Sequence, residues 1–425
     1  MLTLFPVNFF SLIRTLMKLD LDFVRSQFPA FTEPSLKGWA FFENAGGSYP
    51  CQQFINRLTR FYTENKVQPY YPYPASMKAG ELMDTAYSRM ASYLNVAAEE
   101  VHFGPSTTQN VYVLANALRT MWNDGDEIIV SCQDHEANAG AWRRLKDRGI
   151  TIIEWHVNTN TGTLSLDELM ELVTPKTKMI AFPHCSNVIG HINPVKRISE
   201  IAHEAGAICV VDGVGYAPHG FPDLKALDAD IYMFSTYKTF GAHLGLMYIK
   251  STLMKNMSNQ SHYFKKGITR SMFTPAGPDH AQIGATNGVI DYFDLVYKHH
   301  FGDEVPDDKK NNALRELFRA HETELLEPLL EFLRSRDDIQ IVGPETANNR
   351  LPIVSIIPKQ KSIMEVYDAL VEHKLMPGYG HFYAVRPLID MNVALDTGVL
   401  RLSFVHYTSM EEINQLIEGL RIALS

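Results

Sequence analysis

Residues 229–241 read ADIYMFSTYKTFG, and the order of these parts decides how the chain is read. An apolar run of strand length ends in two hydroxyl residues, a tyrosine and then Lys238. A strongly hydrated ammonium at the rim of a core strand is costly to bury. Three roles can account for it: a solvated loop lysine, a phosphate contact, or an amine kept for chemistry. Upstream, AICVVDGVGYAPHG (207–220) repeats the arrangement, with Asp212 closing another apolar strand. A turn or helix-cap aspartate is the plain alternative there. A third strand end, HFGPSTTQN (102–110), passes into a hydroxyl-rich turn that opens a helix. The free N–H groups of a helix N-terminus and the hydroxyls of Ser106, Thr107 and Thr108 form an anion cradle, or else an ordinary helix cap.

Parallel α/β sheets gather their chemistry at the carboxyl ends of strands, where all three features fall. Together they point to pyridoxal 5'-phosphate. Asp212 suits the pyridinium nitrogen, Lys238 the Schiff base, and the strand-end hydroxyls the phosphate. Burial beside other cationic charge lowers a lysine pKa and favours the free amine that imine exchange requires. No G-x-G-x-x-G or G-K-[ST] fingerprint accompanies these strands, which argues against a nucleotide binder.

Outward from these strands, short β-branched runs alternate with helical patterns from about residue 85, the signature of a mostly parallel sheet with crossover helices. The run FGDEVPDDKKNN (301–312) reads as a charged loop, after which the pattern becomes that of a smaller α+β unit. Expected limits are an extension over 1–16, an N-terminal segment over 17–44 packing with the small domain, a large domain over 45–300 and a small one over 301–425. The 425 residues suit more than one domain, and 45% hydrophobic with 20% charged residues is ordinary for a globular protein. A net charge of −9 argues against nucleic-acid binding through bulk electrostatics. Four cysteines with no C-x-x-C pair, and no Cys/His cluster at zinc spacing, predict free thiols and no metal site. The apolar first sixteen residues are too short to span a bilayer and lack a basic leader, and Met17 suits a start of its own. With no membrane partner expected, the location read from the sequence is cytoplasmic.

Several motifs, in order along one length, resemble the class V aminotransferase family in its cysteine desulfurase-like branch. They are FFENAGGSYP (41–50), FGPSTTQNVYVLANAL (103–118), CQDHEANAGAW (132–142), HCSNVIGHINPV (184–195), the stretch from Val210 to Lys238, and GVLRLSFVHYTSMEEINQL (398–416). The resemblance implies the fold-type I α/β architecture, a mostly parallel seven-stranded sheet between helices with a smaller α+β C-terminal domain. It also implies a homodimer with sites at the interface. Carried over residue by residue, Lys238 is the Schiff-base lysine, Asp212 the partner of the pyridine nitrogen, and His135 the ring stacked on the pyridine. Thr107, Thr108 and Ser235 face the phosphate, Asn187 the phenolic oxygen, and Arg401 the substrate α-carboxylate, a bidentate task suited to guanidinium.

The chain departs from the family at informative points. Where desulfurases carry a persulfide-forming cysteine, GHFYAVRP (380–387) has Tyr383, so sulfur transfer through that loop is not expected. Gly215 replaces a glutamine, Tyr237 a histidine, and Pro278 the threonine that reaches a neighbouring subunit's phosphate. His381, Tyr383 and Arg386 become candidate substrate contacts, against a reading as loop packing. The expected chemistry is β-elimination from a small amino acid. Transamination and epimerisation are the alternatives within the class, and a non-catalytic binding protein on the same fold is the alternative outside it.

Overall fold

The structure, a computed structural model, describes residues 18–302 and 305–425. The expected extension over 1–16 and the start at Met17 lie outside the described residues. Thirteen strands follow in chain order among the described residues: β1 Ala40–Phe41, β2 Val101–Gly104, β3 Glu127–Ser131, β4 Thr151–Trp155, β5 Thr177–Pro183, β6 Ile208–Asp212, β7 Ile231–Ser235, β8 Gly245–Ile249, β9 Ile339–Val342, β10 Ile353–Pro358, β11 Leu375–Met376, β12 Gly378–Gly380 and β13 Val399–Ser403.

Seven of them form one sheet in the order β2-β8-β7-β6-β5-β3-β4. Strand β8 is antiparallel to both neighbours, and the remaining pairings are parallel. The apolar runs of the central strands are explained by this placement, because helices cover both faces of a parallel sheet. Successive side chains point to opposite faces. Ile180, Phe182, Val211, Tyr232 and Phe234 therefore enter one core. Met179, Ala181, Val210, Ile231 and Met233 enter the other. This is the fold-type I architecture.

The second unit is a four-stranded antiparallel sheet, β12-β13-β10-β9. It packs on helices Ile363–Glu372 and Met410–Ala423 through a core that includes Val354, Leu402, Val366 and Leu416. The helix Asp307–Arg334 joins the two units: Ala313, Leu314 and Phe318 belong to the large core, Leu325, Leu329 and Leu333 to the small one. Its start corrects the loop expected over 301–312. Pro306 precedes the helix, and Asp307 and Asp308 occupy its first turn, where acidic side chains complement the helix dipole. Residues 307–312 of the charge run read as a loop are the start of this helix.

The N-terminal segment divides between the units. Val24 and Phe28 are buried in the large core, whereas Ala40 and Phe42 join the small one and β1 pairs in parallel with β11. Among the described residues, no helix is long and apolar enough to cross a membrane.

Candidate active site

Five strands of the large sheet end around one cavity of about 540 Å³, its mouth included. It brings together Ser106, Thr107 and Thr108 after β2, His135 after β3, Asn187 after β5, Asp212 at the end of β6, and Ser235 and Lys238 after β7.

The phosphate side is built by helix Thr107–Arg119. Ser106 is its cap, accepting from the Gln109 N–H at 3.2 Å. The cap and cradle readings are therefore compatible, since the turn that Ser106 caps also lines the cavity. The hydroxyls of Thr107 and Ser235 lie 2.7 Å apart, tying the helix start to the end of β7.

Lys238 and Asp212 are both nearly inaccessible, at 5% and 4% exposure. Burial, with the nearby Arg401 charge added, pushes the Lys238 ammonium down to about 8, against the pull of Asp212 and Glu43. Burial raises the Asp212 carboxyl to about 6, opposed by the Val214 N–H that it accepts at 2.8 Å and by Lys238. His135 caps helix Glu136–Arg143, its Nδ1 accepting from the Ala137 N–H at 2.9 Å. That bond assigns the proton to Nε2. Burial, then the charges of Lys238 and Arg401, hold its pKa near 3, so the ring stays neutral.

These residues fit pyridoxal phosphate on three counts. A buried carboxylate and a buried amine share the cavity. A helix N-terminus with hydroxyls opens onto it. The Asn187 Oδ1 is buried with no partner in the protein, at the wall where the phenolic oxygen is expected.

The remaining candidates lie beyond the cavity wall. Arg401, in β13, is buried and reaches the site indirectly: its Nη1 donates to the Asn187 carbonyl at 2.9 Å. Tyr383 is exposed, with its ring 5.4 Å from that of His135, and its carbonyl accepts from the Glu136 N–H at 2.8 Å. Phe382 and Tyr383 both have left-handed backbones (φ 49° and 56°), an uncommon pair for bulky residues. His381 is turned to its own loop, with Nδ1 accepting from the Tyr383 N–H at 3.1 Å. Arg386 does not reach the cavity. It donates to Glu154 at 2.7 Å, a carboxylate it shares with Arg143. Neither His381 nor Arg386 lines the cavity in this structure.

Sequence reasoning also passed over cavity residues. His243 lines the wall and stacks on Tyr237 with centroids 4.8 Å apart. Its signal was its place in the short turn between β7 and β8. Cys185 lines the cavity too, although no cysteine is near Tyr383 in sequence. Burial pushes its thiol up to about 12. Gly215 is required at its position, since a Cβ there would lie 2.5 Å from the Cys185 carbonyl oxygen. Tyr216 instead stacks on His184 at 3.6 Å. Asp134 is a second buried carboxylate, pushed well up by burial and by the charge of Asp212, and it accepts from the Asn138 amide at 3.0 Å.

One further cluster forms only in the fold: ligand atoms of Cys132, His156 and Asp390 lie within 4.8 Å of one another. The Arg143 guanidinium is 3.8 Å from the Cys132 Sγ, and burial pushes that thiol up to about 12. His156 Nδ1 already meets Asp390 at 3.0 Å. A resident cation so close to a protonated thiol favours an ion-pair network over a metal site.

The family profile described as aminotransferase class-V matches residues 40–293 and 312–416. The aminotransferase-like protein FGM3 of Gibberella zeae is 33% identical over 418 residues, covering 95% of this chain and 98% of that protein. The cysteine desulfurase-like protein ustD of Aspergillus flavus is 30% identical over 414 residues, covering 93% of this chain and 88% of that protein. The apo cysteine desulfurase of Thermococcus onnurineus superposes with a TM-score of 0.82 at 21% identity, over 96% of this chain and 98% of that one.

Proposed function

The chain belongs to the class-V aminotransferase family, whose cofactor is pyridoxal 5'-phosphate, and from that premise we propose an enzyme acting on a small amino acid by β-elimination. One observation carries the cofactor-dependent part of the reading: Lys238 and Asp212, both buried, share one cavity with the hydroxyl-bearing start of helix Thr107–Arg119. When bound, the cofactor supplies an electron sink next to the substrate Cα.

The chain's own groups divide the remaining work. Ser106, Thr107, Thr108 and Ser235 hold the phosphate and fix the register of the ring. Asp212 holds charge opposite the ring nitrogen. Neutral His135 covers one face of the ring. Lys238, with its pKa lowered to about 8, has a free-amine fraction of roughly a tenth at pH 7, well above that of an ordinary lysine, and moves the proton at Cα. Arg401 orients the α-carboxylate from behind Asn187.

Removal of a sulfur-bearing β-substituent is favoured by the desulfurase-like relatives, and transamination by the aminotransferase-like one. A persulfide relay is not part of the proposal. All four cysteines are buried, and burial pushes each thiol up to about 12, where little thiolate exists at neutral pH.

Reconstitution with pyridoxal phosphate followed by a single-turnover screen of amino acids tests the reading, with pyruvate, sulfide, ammonia and pyridoxamine phosphate each measured. Pyruvate with ammonia supports elimination, and pyridoxamine phosphate supports transamination. Uptake of the cofactor that survives Lys238→Ala unchanged in spectrum would overturn the assignment of the lysine.

A further inference from the structure

Arg401 already faces a carboxylate of its own chain. Nη2 donates to Glu43 Oε1 at 2.6 Å, and Nε donates to Oε2 at 3.4 Å. With Nη1 given to Asn187 and the Phe382 ring 3.6 Å from the guanidinium carbon, all three nitrogens and one face of the group are engaged. The two partners differ in freedom. Arg401 lies within β13, with 2% of its side chain exposed, whereas Glu43 follows the two-residue β1 and is 27% exposed. Its carboxylate sits in a slot kept open by two glycines. A Cβ on Gly378, paired with Arg401 across the sheet, would lie 2.5 Å from Glu43 Oε2, and one on Gly46 would lie 2.7 Å from Oε1.

We infer that Glu43 is a specificity-determining residue, an internal competitor that a substrate carboxylate displaces from Arg401. The inference rests on the reading of Arg401 as the carboxylate-binding residue. A buried guanidinium left unpaired is strongly disfavoured, so Glu43 keeps it satisfied while no carboxylate is bound. An incoming carboxylate takes over the fork and Glu43 moves towards solvent. A reactant without a carboxylate enters with the Glu43–Arg401 pair intact. The site therefore admits carboxylate-free amines or carbonyl compounds without stranding a charge, and binds amino acids less tightly than a free guanidinium would.

The test uses the holoenzyme and two reagents that capture bound pyridoxal phosphate, followed by its absorbance: aminooxyacetate, which carries a carboxylate, and O-methylhydroxylamine, which does not. The ratio of their rate constants reports carboxylate recognition and cancels changes in Lys238 that affect both reagents alike. Glu43→Gln is expected to raise the ratio about tenfold. Glu43→Asp keeps the charge but shortens the reach, and Gly378→Ala fills the slot from the opposite strand; both are expected to shift the ratio in the same direction. Arg401→Gln is expected to lower it. If Arg401→Gln lowers the ratio while the folded Glu43 and Gly378 variants leave it at the wild-type value, competition by Glu43 is overturned and the role of Arg401 stands. If Arg401→Gln leaves the ratio unchanged, the role of Arg401 falls, and the competition with it.

Discussion

At the scale of the residue, the Lys238 pKa is the quantity to measure. Its ordinary value of 10.5 falls to about 8 through burial first and the Arg401 charge second. Below pH 8 the ammonium is charged in the folded and unfolded chain alike. Between 8 and 10.5 the unfolded chain holds a proton that the folded one has released, so this group adds stability as pH rises through that window. Only the free amine can capture the cofactor aldehyde. The rate of pyridoxal phosphate uptake by the apo-protein should therefore rise through about pH 8 and then level off. Arg401→Gln removes a cation and should move the midpoint up, whereas Asp212→Asn removes an anion and should move it down. A wild-type rate still climbing at pH 9.5 would show a lysine with an ordinary pKa.

At the scale of the element, the turn 104–108 separates capping from ligand binding. Ser106 caps helix Thr107–Arg119 through Gln109. Replacing such a cap by alanine costs about 1 kcal/mol, and by glycine only a few tenths. Denaturant unfolding of the apo-protein should show that difference between Ser106→Ala and Ser106→Gly. Both variants lose the hydroxyl, so both should weaken pyridoxal phosphate binding and leave binding of pyridoxal, which has no phosphate, nearly unchanged. Equal losses for the two cofactor forms would remove Ser106 from the phosphate side.

The elements most legible in the sequence were β5 to β8, because a strand buried on both faces is written as an unbroken apolar run. Asp212 and Lys238 were legible for the same reason: each is the first charged side chain after such a run. What the sequence concealed depends on pairing across the fold. Arg386 looks free in its loop and is engaged by Glu154, more than two hundred residues away. Glu43 lies in a motif that marked the family, yet its meeting with Arg401 needs the β1 turn to settle against β13. Helix Asp307–Arg334 was cut short because its first turn is composed like a loop.

At the scale of the molecule, one apolar surface stays exposed among the described residues. Tyr263 and Phe264 are 88% and 67% exposed, with Ile268, Tyr70, Tyr71 and Tyr73 also exposed. The two stretches are neighbours, since Tyr70 donates to Asp84 at 2.9 Å and Arg270 pairs with the same carboxylate. Six large side chains left open together mark an interaction surface more readily than a free one. Beside them, residues 273–279 line a second cavity that includes Pro278 and shares His243 with the cofactor site. A second copy of the chain seated on this surface, next to that second cavity, is the homodimer we propose. Light scattering should give a dimer at micromolar concentration. The double variant Tyr263→Glu with Phe264→Glu should give a monomer with weakened pyridoxal phosphate affinity, although neither residue lines the cofactor cavity. A wild-type monomer with full cofactor occupancy would refute the dimer. A double variant that stays dimeric and keeps its affinity would place the interface elsewhere.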